Sequence, residues 1–216
     1  MTAVVSDLEG TLTTGETWRI FGNFLRSRGR AFGYNVFFFT HFPGAMAARA
    51  GLINAQRYRE LWFTNMTRLI EGLSQAQMDE LSALIAGELW RARRAQVVAE
   101  LQRWRAGGAR LLIASGTYQQ VATAFAARIG AEAIATPVEF DAHGRATGRL
   151  SSPVSTGETK AARVRAWLGD DVLAAAYGDT EGDIPMLSLA AQPVAVYPDA
   201  ALRAKALANG WRVIER

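Results

Sequence analysis

Two apolar patterns divide the chain. Short unbroken runs, Ala3-Val4-Val5, Leu111-Leu112-Ile113-Ala114, Val172 to Tyr177 and Val194-Ala195-Val196, are too short for helices and read as strands buried on both faces. Elsewhere apolar residues recur at helical spacing. Val97, Val98, Leu101 and Trp104 share one face, closed by Gly107-Gly108; Val121, Phe125 and Ile129 share another that stops at Gly130; Ala161, Val164, Trp167 and Leu168 share a third. Ala131 to Thr136 and Trp211 to Ile214 add strands, and Asp199 caps a helix ending at Asn209-Gly210. Val138-Glu139-Phe140 and Arg145 to Leu150 flank a turn at Asp141 to Gly144 and predict a hairpin. Strands alternating with helices predict an α/β fold, a doubly wound parallel sheet with right-handed crossovers.

One long stretch breaks that alternation. Trp18, Phe21, Phe24 and Leu25 predict a helix. Asn54 caps another, with Tyr58, Leu61, Trp62, Met66, Leu69 and Ile70 inward and Gly72 as its stop. Ser74 with Gln77 forms a capping box for a helix that turns Leu81, Leu84, Ile85 and Leu89 inward. Residues 14–92 are therefore expected to be an all-helical insertion, and 1–13 with 93–216 the α/β core. Within the insertion, residues 31–48 carry no formal charge and approach the length of a membrane span. Asn35, Thr40, His41 and a break at Pro43-Gly44 argue against a crossing, which would also put Asp7 on the opposite side of a bilayer from Ser115, Lys160 and Asp179. The segment is read as a buried or interfacial helix. Its Phe32, Tyr34, Phe37, Phe38, Phe39 and Phe42 are expected mainly in the insertion's own core, with weak membrane-surface contact left open.

At 216 residues, half of them apolar, the chain can bury a substantial core. The absence of cysteine excludes disulfides and thiolate metal sites and fits a reducing, cytoplasmic setting, as does the lack of a leader pattern. Two histidines, His41 and His143, are too few for a histidine-based zinc site or triad. A net charge of +4 comes mostly from arginine and suits an acidic substrate or anionic surface. No nucleic-acid partner is expected, because no basic run is interleaved with aromatics. A P-loop is excluded, since no glycine directly precedes Lys160.

The candidate chemistry sits at the strand ends, where open α/β sheets bind ligands. The first strand runs into Asp7-Leu8-Glu9-Gly10-Thr11, the second into Ser115-Gly116-Thr117, and a later one into Gly178-Asp179-Thr180-Glu181-Gly182-Asp183, with Lys160 near the start of a helix between them. In that order these motifs resemble the haloacid dehalogenase superfamily of phosphatases, over nearly the whole chain. The likeness is greatest to the phosphoserine-phosphatase-like branch, whose helical cap is inserted between the first two motifs.

The resemblance implies Mg²⁺-dependent hydrolysis of a small-molecule phosphate ester. Asp7 would attack phosphorus and become an aspartyl-phosphate, while Glu9 would protonate the leaving oxygen and then activate water. Thr11, Ser115, Gly116 and Lys160 would serve the phosphate, with Thr11 steadying the first turn. Asp7, the Glu9 backbone carbonyl and Asp179 would hold Mg²⁺, with Asp183 in or next to its ligand shell. Four converging carboxylates repel one another, and a hard divalent cation relieves them.

Two departures shape the substrate reading. The family usually has Asp where this chain has Glu9, although enolase-phosphatases of the superfamily share the glutamate; acid work by Glu9 calls for a raised pKa, which crowding by Asp7 would provide once metal and phosphate are in place. Glu16 matches the acid that binds the substrate ammonium in phosphoserine phosphatases, but Met66 stands where their substrate-binding arginine lies. Phosphoserine is therefore disfavoured. A lipid-linked phosphate, or a binding protein on a retired catalytic core, are the alternatives.

Overall fold

A computed structural model describes residues 1–215, so Arg216, at the limit of the expected core, lies outside the described residues. Among them the strands are β1 (Thr2–Ser6), β2 (Arg110–Tyr118), β3 (Glu132–Thr136), β4 (Val138–Phe140), β5 (Ala146–Leu150), β6 (Val172–Gly178), β7 (Gln192–Val196) and β8 (Arg212–Ile214). The helices are α1 (Thr17–Ser27), α2 (Ala31–Arg49), α3 (Ala55–Thr67), α4 (Gln75–Arg91), α5 (Ala95–Ala106), α6 (Gln119–Ala126), α7 (Gly157–Leu168), α8 (Ile184–Leu187) and α9 (Ala200–Ala208).

Six strands form one parallel sheet in the order β3-β2-β1-β6-β7-β8, while β4 and β5 make the expected antiparallel hairpin. Successive side chains of a strand face opposite sides, so the apolar runs feed two cores. Val4, Leu111, Ile113, Ala175 and Tyr177 pack with α5, α6 and the long helical stretch, whereas Val5, Leu112, Ala114 and Ala176 pack with α7, α8 and α9. Because order reverses on either side of β1, its neighbours are β2 and β6. Ser6 pairs with Ile113 on one side and with Tyr177 on the other, which fixes the residues beyond each strand end at one level of the sheet.

The strand carrying Ser115 is longer than its apolar run suggests. β2 extends through Ser115-Gly116-Thr117 to Tyr118, and its pairing with β3 lapses between Ala114 and Tyr118. The motif is thus an irregular part of the strand that re-aims its polar groups, as bulges do.

Residues 17–91 hold four α-helices, as the periodicity implies. Ser74 and Gln77 form the capping box, a motif that contributes about 1 kcal/mol. Phe21, Leu25, Ile70, Leu81, Ile85 and Leu89 are fully buried in the same core as the sheet's upper face. Leu61 and Leu84, expected inward, are exposed instead. The stretch leaves and rejoins the core through paired backbone. Thr13 pairs antiparallel with Arg93, the Thr14 N–H donates to the Ala92 carbonyl at 3.1 Å, and the Arg94 N–H donates to the Leu12 carbonyl at 2.7 Å.

The helix α2 corrects the sequence reading in two ways. It runs unbroken through Pro43, and a Cβ on Gly44 would lie 2.5 Å from Tyr58 Cζ. Gly44 therefore admits α3 at close range instead of ending α2. Of the six aromatics assigned to a private core, only Tyr34 and Phe37 are buried; Phe32, Phe39 and Phe42 face outward. No helix among the described residues is long and apolar enough to cross a membrane.

Candidate active site

The carboxyl ends of β1 and β6 bring Asp7, Asp179 and Asp183 together. One oxygen from each lies within 4.8 Å of the others. Asp7 follows β1 directly, its N–H held by the Tyr177 carbonyl at 2.9 Å. Lys160, in the first turn of α7 and 3 % exposed, donates from Nζ to Asp7 Oδ1 and to Asp183 Oδ1, both at 2.7 Å. The other oxygen of Asp183 accepts from the N–H groups of Asp179 and Thr180 and from Thr180 Oγ1.

Thr11 does not face the cavity. Its hydroxyl donates to Asp179 Oδ1 at 2.9 Å and so orients that acid. Gly10 makes room for the same carboxylate. At φ +92°, a Cβ there would sit 2.5 Å from Asp179 Cγ, so both the backbone and the space demand glycine.

The charges are unevenly satisfied. Burial pushes Asp7 up to about 6, with Lys160 opposing and Asp183 adding to the rise. Burial, then the charges of Asp7 and Asp183, push Asp179 up to about 8. Burial also disfavours the charged form of Asp183, but Lys160 and the backbone donors outweigh it and hold that carboxyl below its usual value. Lys160 itself is raised, because its two carboxylate partners outweigh its burial. A single ammonium thus faces three carboxylates, and Asp179 carries the uncompensated share. This all-oxygen set, held within chelating distance, fits a hard divalent cation such as Mg²⁺.

Glu9 is separate from that cluster. Its carboxylate accepts from Thr17 Oγ1 at 2.5 Å and from the Thr17 N–H at 3.1 Å, at the start of α1. Burial raises its pKa against the opposing pull of the Thr17 donors. Ser115 is buried and its Oγ accepts from the Thr117 N–H at 3.3 Å, while Gly116 lies against Thr156. Glu16 is exposed, paired with Arg19 at 3.1 Å.

Of the site residues expected from sequence, all except Thr11 line one cavity of about 840 Å³ above the sheet. Its upper wall is apolar, from Trp18, Phe38, Phe42, Met46, Trp62 and Phe63, and Met66 stands in it where the resemblance would have had an arginine. Arg59 also lines it, one of the arginines near that position. Sequence reasoning missed Thr17, Glu60 and Thr156. Thr156 Oγ1 donates to Glu60 across the cavity, and neither residue stands in a motif. It also missed Arg94, which donates from Nε to the Gly10 carbonyl at 3.1 Å and lies over the Tyr197 ring.

With acids beyond the ends of adjacent parallel strands and a lysine reaching them from the first turn of α7, the architecture is Rossmann-like, with its chemistry at the strand ends. Residues 4–188 match the family of haloacid dehalogenase-like hydrolases, and the chain belongs to it. Its relatives include phosphoserine phosphatase SerB1 of Mycobacterium tuberculosis, 28 % identical over 98 % of this chain and 70 % of that protein. Protein CicA of Caulobacter vibrioides is 30 % identical over 87 % of this chain and 82 % of its own length. Among solved structures, a protein of unknown function from Bordetella pertussis superposes with a TM-score of 0.82 at 25 % identity, covering 99 % of this chain and 98 % of the other.

Proposed function

We propose that the protein is a Mg²⁺-dependent phosphatase that hydrolyses a phosphate monoester through an aspartyl-phosphate on Asp7. The observation that carries this reading is the convergence of Asp7, Asp179 and Asp183 on Lys160 at the ends of two neighbouring strands. Asp7, the Glu9 carbonyl and Asp179 would hold the cation, with Asp183 supporting Lys160. When bound, the cation neutralises the acids and screens the phosphoryl oxygens from the nucleophile.

Asp7 has one oxygen on Lys160, leaving Oδ2 to attack phosphorus. Lys160 has three N–H donors, two spent on carboxylates, and aims the third at a phosphoryl oxygen. The Ser115 hydroxyl and the Gly116 N–H supply further donors. As the bond between Asp7 and phosphorus forms, the ester bond breaks, and the leaving alkoxide takes a proton from Glu9. Burial raises the Glu9 carboxyl above its usual value, which favours the protonated form that this step uses. In the second half, Glu9 takes a proton from water, which attacks phosphorus and frees Asp7.

The helices over the cavity would act as a cap that chooses the substrate. A three-carbon amino-acid phosphate leaves most of about 840 Å³ unfilled, and Met66 offers no charge to its carboxylate, so phosphoserine is not the substrate proposed. The engagement of Glu9 by Thr17 favours a second reading, a binding protein without turnover.

Hydrolysis of p-nitrophenyl phosphate separates the two. The phosphatase reading expects turnover with Mg²⁺ that EDTA and Asp7→Asn abolish, and Glu9→Gln to lower kcat by about 10²–10⁴. Turnover that survives Asp7→Asn, or none with any ester alongside no thermal stabilisation by Mg²⁺ and beryllofluoride, overturns it.

A further inference from the structure

The outer face of α2 is a continuous apolar stripe. Phe32, Val36, Phe39, Pro43 and Met46 recur at alternating steps of four and three residues, which places them on one side of a helix over about 21 Å. Phe32 is 83 % exposed and Phe39 74 % exposed, and Leu52 and Ile53 extend the apolar surface just past the helix end. Isolated exposed hydrophobics need no explanation, but a row of them on a helix whose only formal charge is Arg49 at its end is a contact surface.

Arginine predominates around the stripe, although Arg19 and Arg28 pair with Glu16 and Glu80. From Thr17 to Arg59 the chain carries seven arginines and not one Asp, Glu or Lys. Arg26 lies beside the first turns of α2, over Tyr34 and within reach of Asn35, and Arg49 closes its other end. A second copy of this chain docking face to face would set arginines against arginines, which opposes association. An anionic bilayer surface complements both the apolar row and the arginines, in the manner of helices that lie in the headgroup plane.

The stripe also meets the cavity. Phe42 and Met46 belong to both the exposed surface and the cavity wall. Behind them Phe38 stacks on Phe42 at 5.2 Å and on Trp18 at 5.8 Å, and meets Trp62 edge-on at 6.2 Å. The cavity mouth is thus an aromatic passage running from the outer face of α2 to Asp7, with Arg49 and Arg59 along it.

We propose that the protein works at the surface of an anionic membrane, seating α2 among the headgroups and drawing in a lipid whose headgroup ends in a phosphomonoester. The phosphate reaches Asp7 and Lys160 while the apolar body stays against the aromatic passage. This rests on the phosphatase reading of the site, and the test keeps the two apart.

The test compares wild type with Phe39→Glu and the milder Phe32→Ser, neither of which lines the cavity. Three measurements are made: hydrolysis of p-nitrophenyl phosphate, co-sedimentation with vesicles of phosphatidylcholine with and without phosphatidylglycerol, and phosphate release from phosphatidic acid in the mixed vesicles. Wild type is expected to sediment with the phosphatidylglycerol vesicles and to release phosphate from them. Phe39→Glu should weaken vesicle association about tenfold or more, and vesicle turnover with it, leaving p-nitrophenyl phosphate hydrolysis unchanged. Phe32→Ser should act in the same direction with a smaller effect.

Wild type that hydrolyses p-nitrophenyl phosphate but ignores the vesicles overturns the membrane inference alone. So does vesicle binding without release from phosphatidic acid, and so does a dimer in sedimentation velocity that Phe39→Glu dissociates. No hydrolysis of any ester sinks the phosphatase reading, and with it the lipid substrate.

Discussion

Replacing Lys160 with methionine tests whether one buried ammonium holds the acid cluster together. The side chain is 3 % exposed and makes two 2.7 Å contacts, to Asp7 and Asp183, which are themselves buried. Methionine keeps most of the volume, so packing changes little and the loss is electrostatic. Removing one partner of a buried ion pair costs about 3–5 kcal/mol, because a charge is left uncompensated. In a chain of this size that corresponds to a fall of about 6–20 °C in the Tm of the metal-free protein.

The penalty should depend on pH in a definite direction. Without Lys160, Asp7 and Asp183 in the folded state both take protons more readily than in the unfolded chain. Native protein then binds the extra protons, so the variant's stability falls as pH rises. Urea and thermal unfolding in EDTA are the assays, run near neutral pH and again in mild acid. Adding Asp183→Asn to Lys160→Met should recover part of the loss, since one stranded charge disappears. A loss below about 1 kcal/mol, or an equal loss at both pH values, would refute the electrostatic account.

Three further outcomes follow from the same geometry. In metal-free wild type, Asp7 and Asp179 are raised from 3.8 to about 6 and about 8, so stability should decline as pH climbs through that range, and added Mg²⁺ should flatten the decline; parallel Tm curves with and without Mg²⁺ would contradict this. Gly10→Ala forces a side chain into the space of Asp179 at a positive φ, costing about 1–3 kcal/mol and weakening Mg²⁺ binding, and a calorimetric Mg²⁺ titration matching wild type would count against it. Ser82 is buried in α4 with its hydroxyl unpartnered among the described residues, so Ser82→Ala should raise Tm by about 2–4 °C, and a lower Tm would mean the hydroxyl has a role.

The parts of the molecule that were legible in the sequence are those whose signal is local. Strand runs such as Leu111 to Ala114 and caps such as Ser74 with Gln77 depend on neighbouring residues, and the structure has them where the pattern puts them. The meeting of Asp7 with Asp179 was legible only through the order of the motifs, because it depends on β1 and β6 being neighbours. Three features depend on packing that no local pattern encodes. Glu9 turns to Thr17 because α1 begins beside it, Thr11 turns to Asp179, and α2 continues through Pro43 while Gly44 gives Tyr58 room to approach. The outward face of α2 was hidden for a further reason. In a segment without charges, inside and outside look alike.

The paired backbone where residues 12–14 meet 92–94 has an evolutionary consequence. A segment whose two ends are already zipped together can lengthen or shorten in its exposed parts while the helix faces buried on the sheet, through Phe21, Leu25 and Ile85, keep their packing. Doubling the length of such a closed segment costs only about 0.6 kcal/mol in closure entropy. On the phosphatase reading, new specificities can therefore arise above the sheet through drift in the exposed parts of the helices, with the carboxylates below inherited intact.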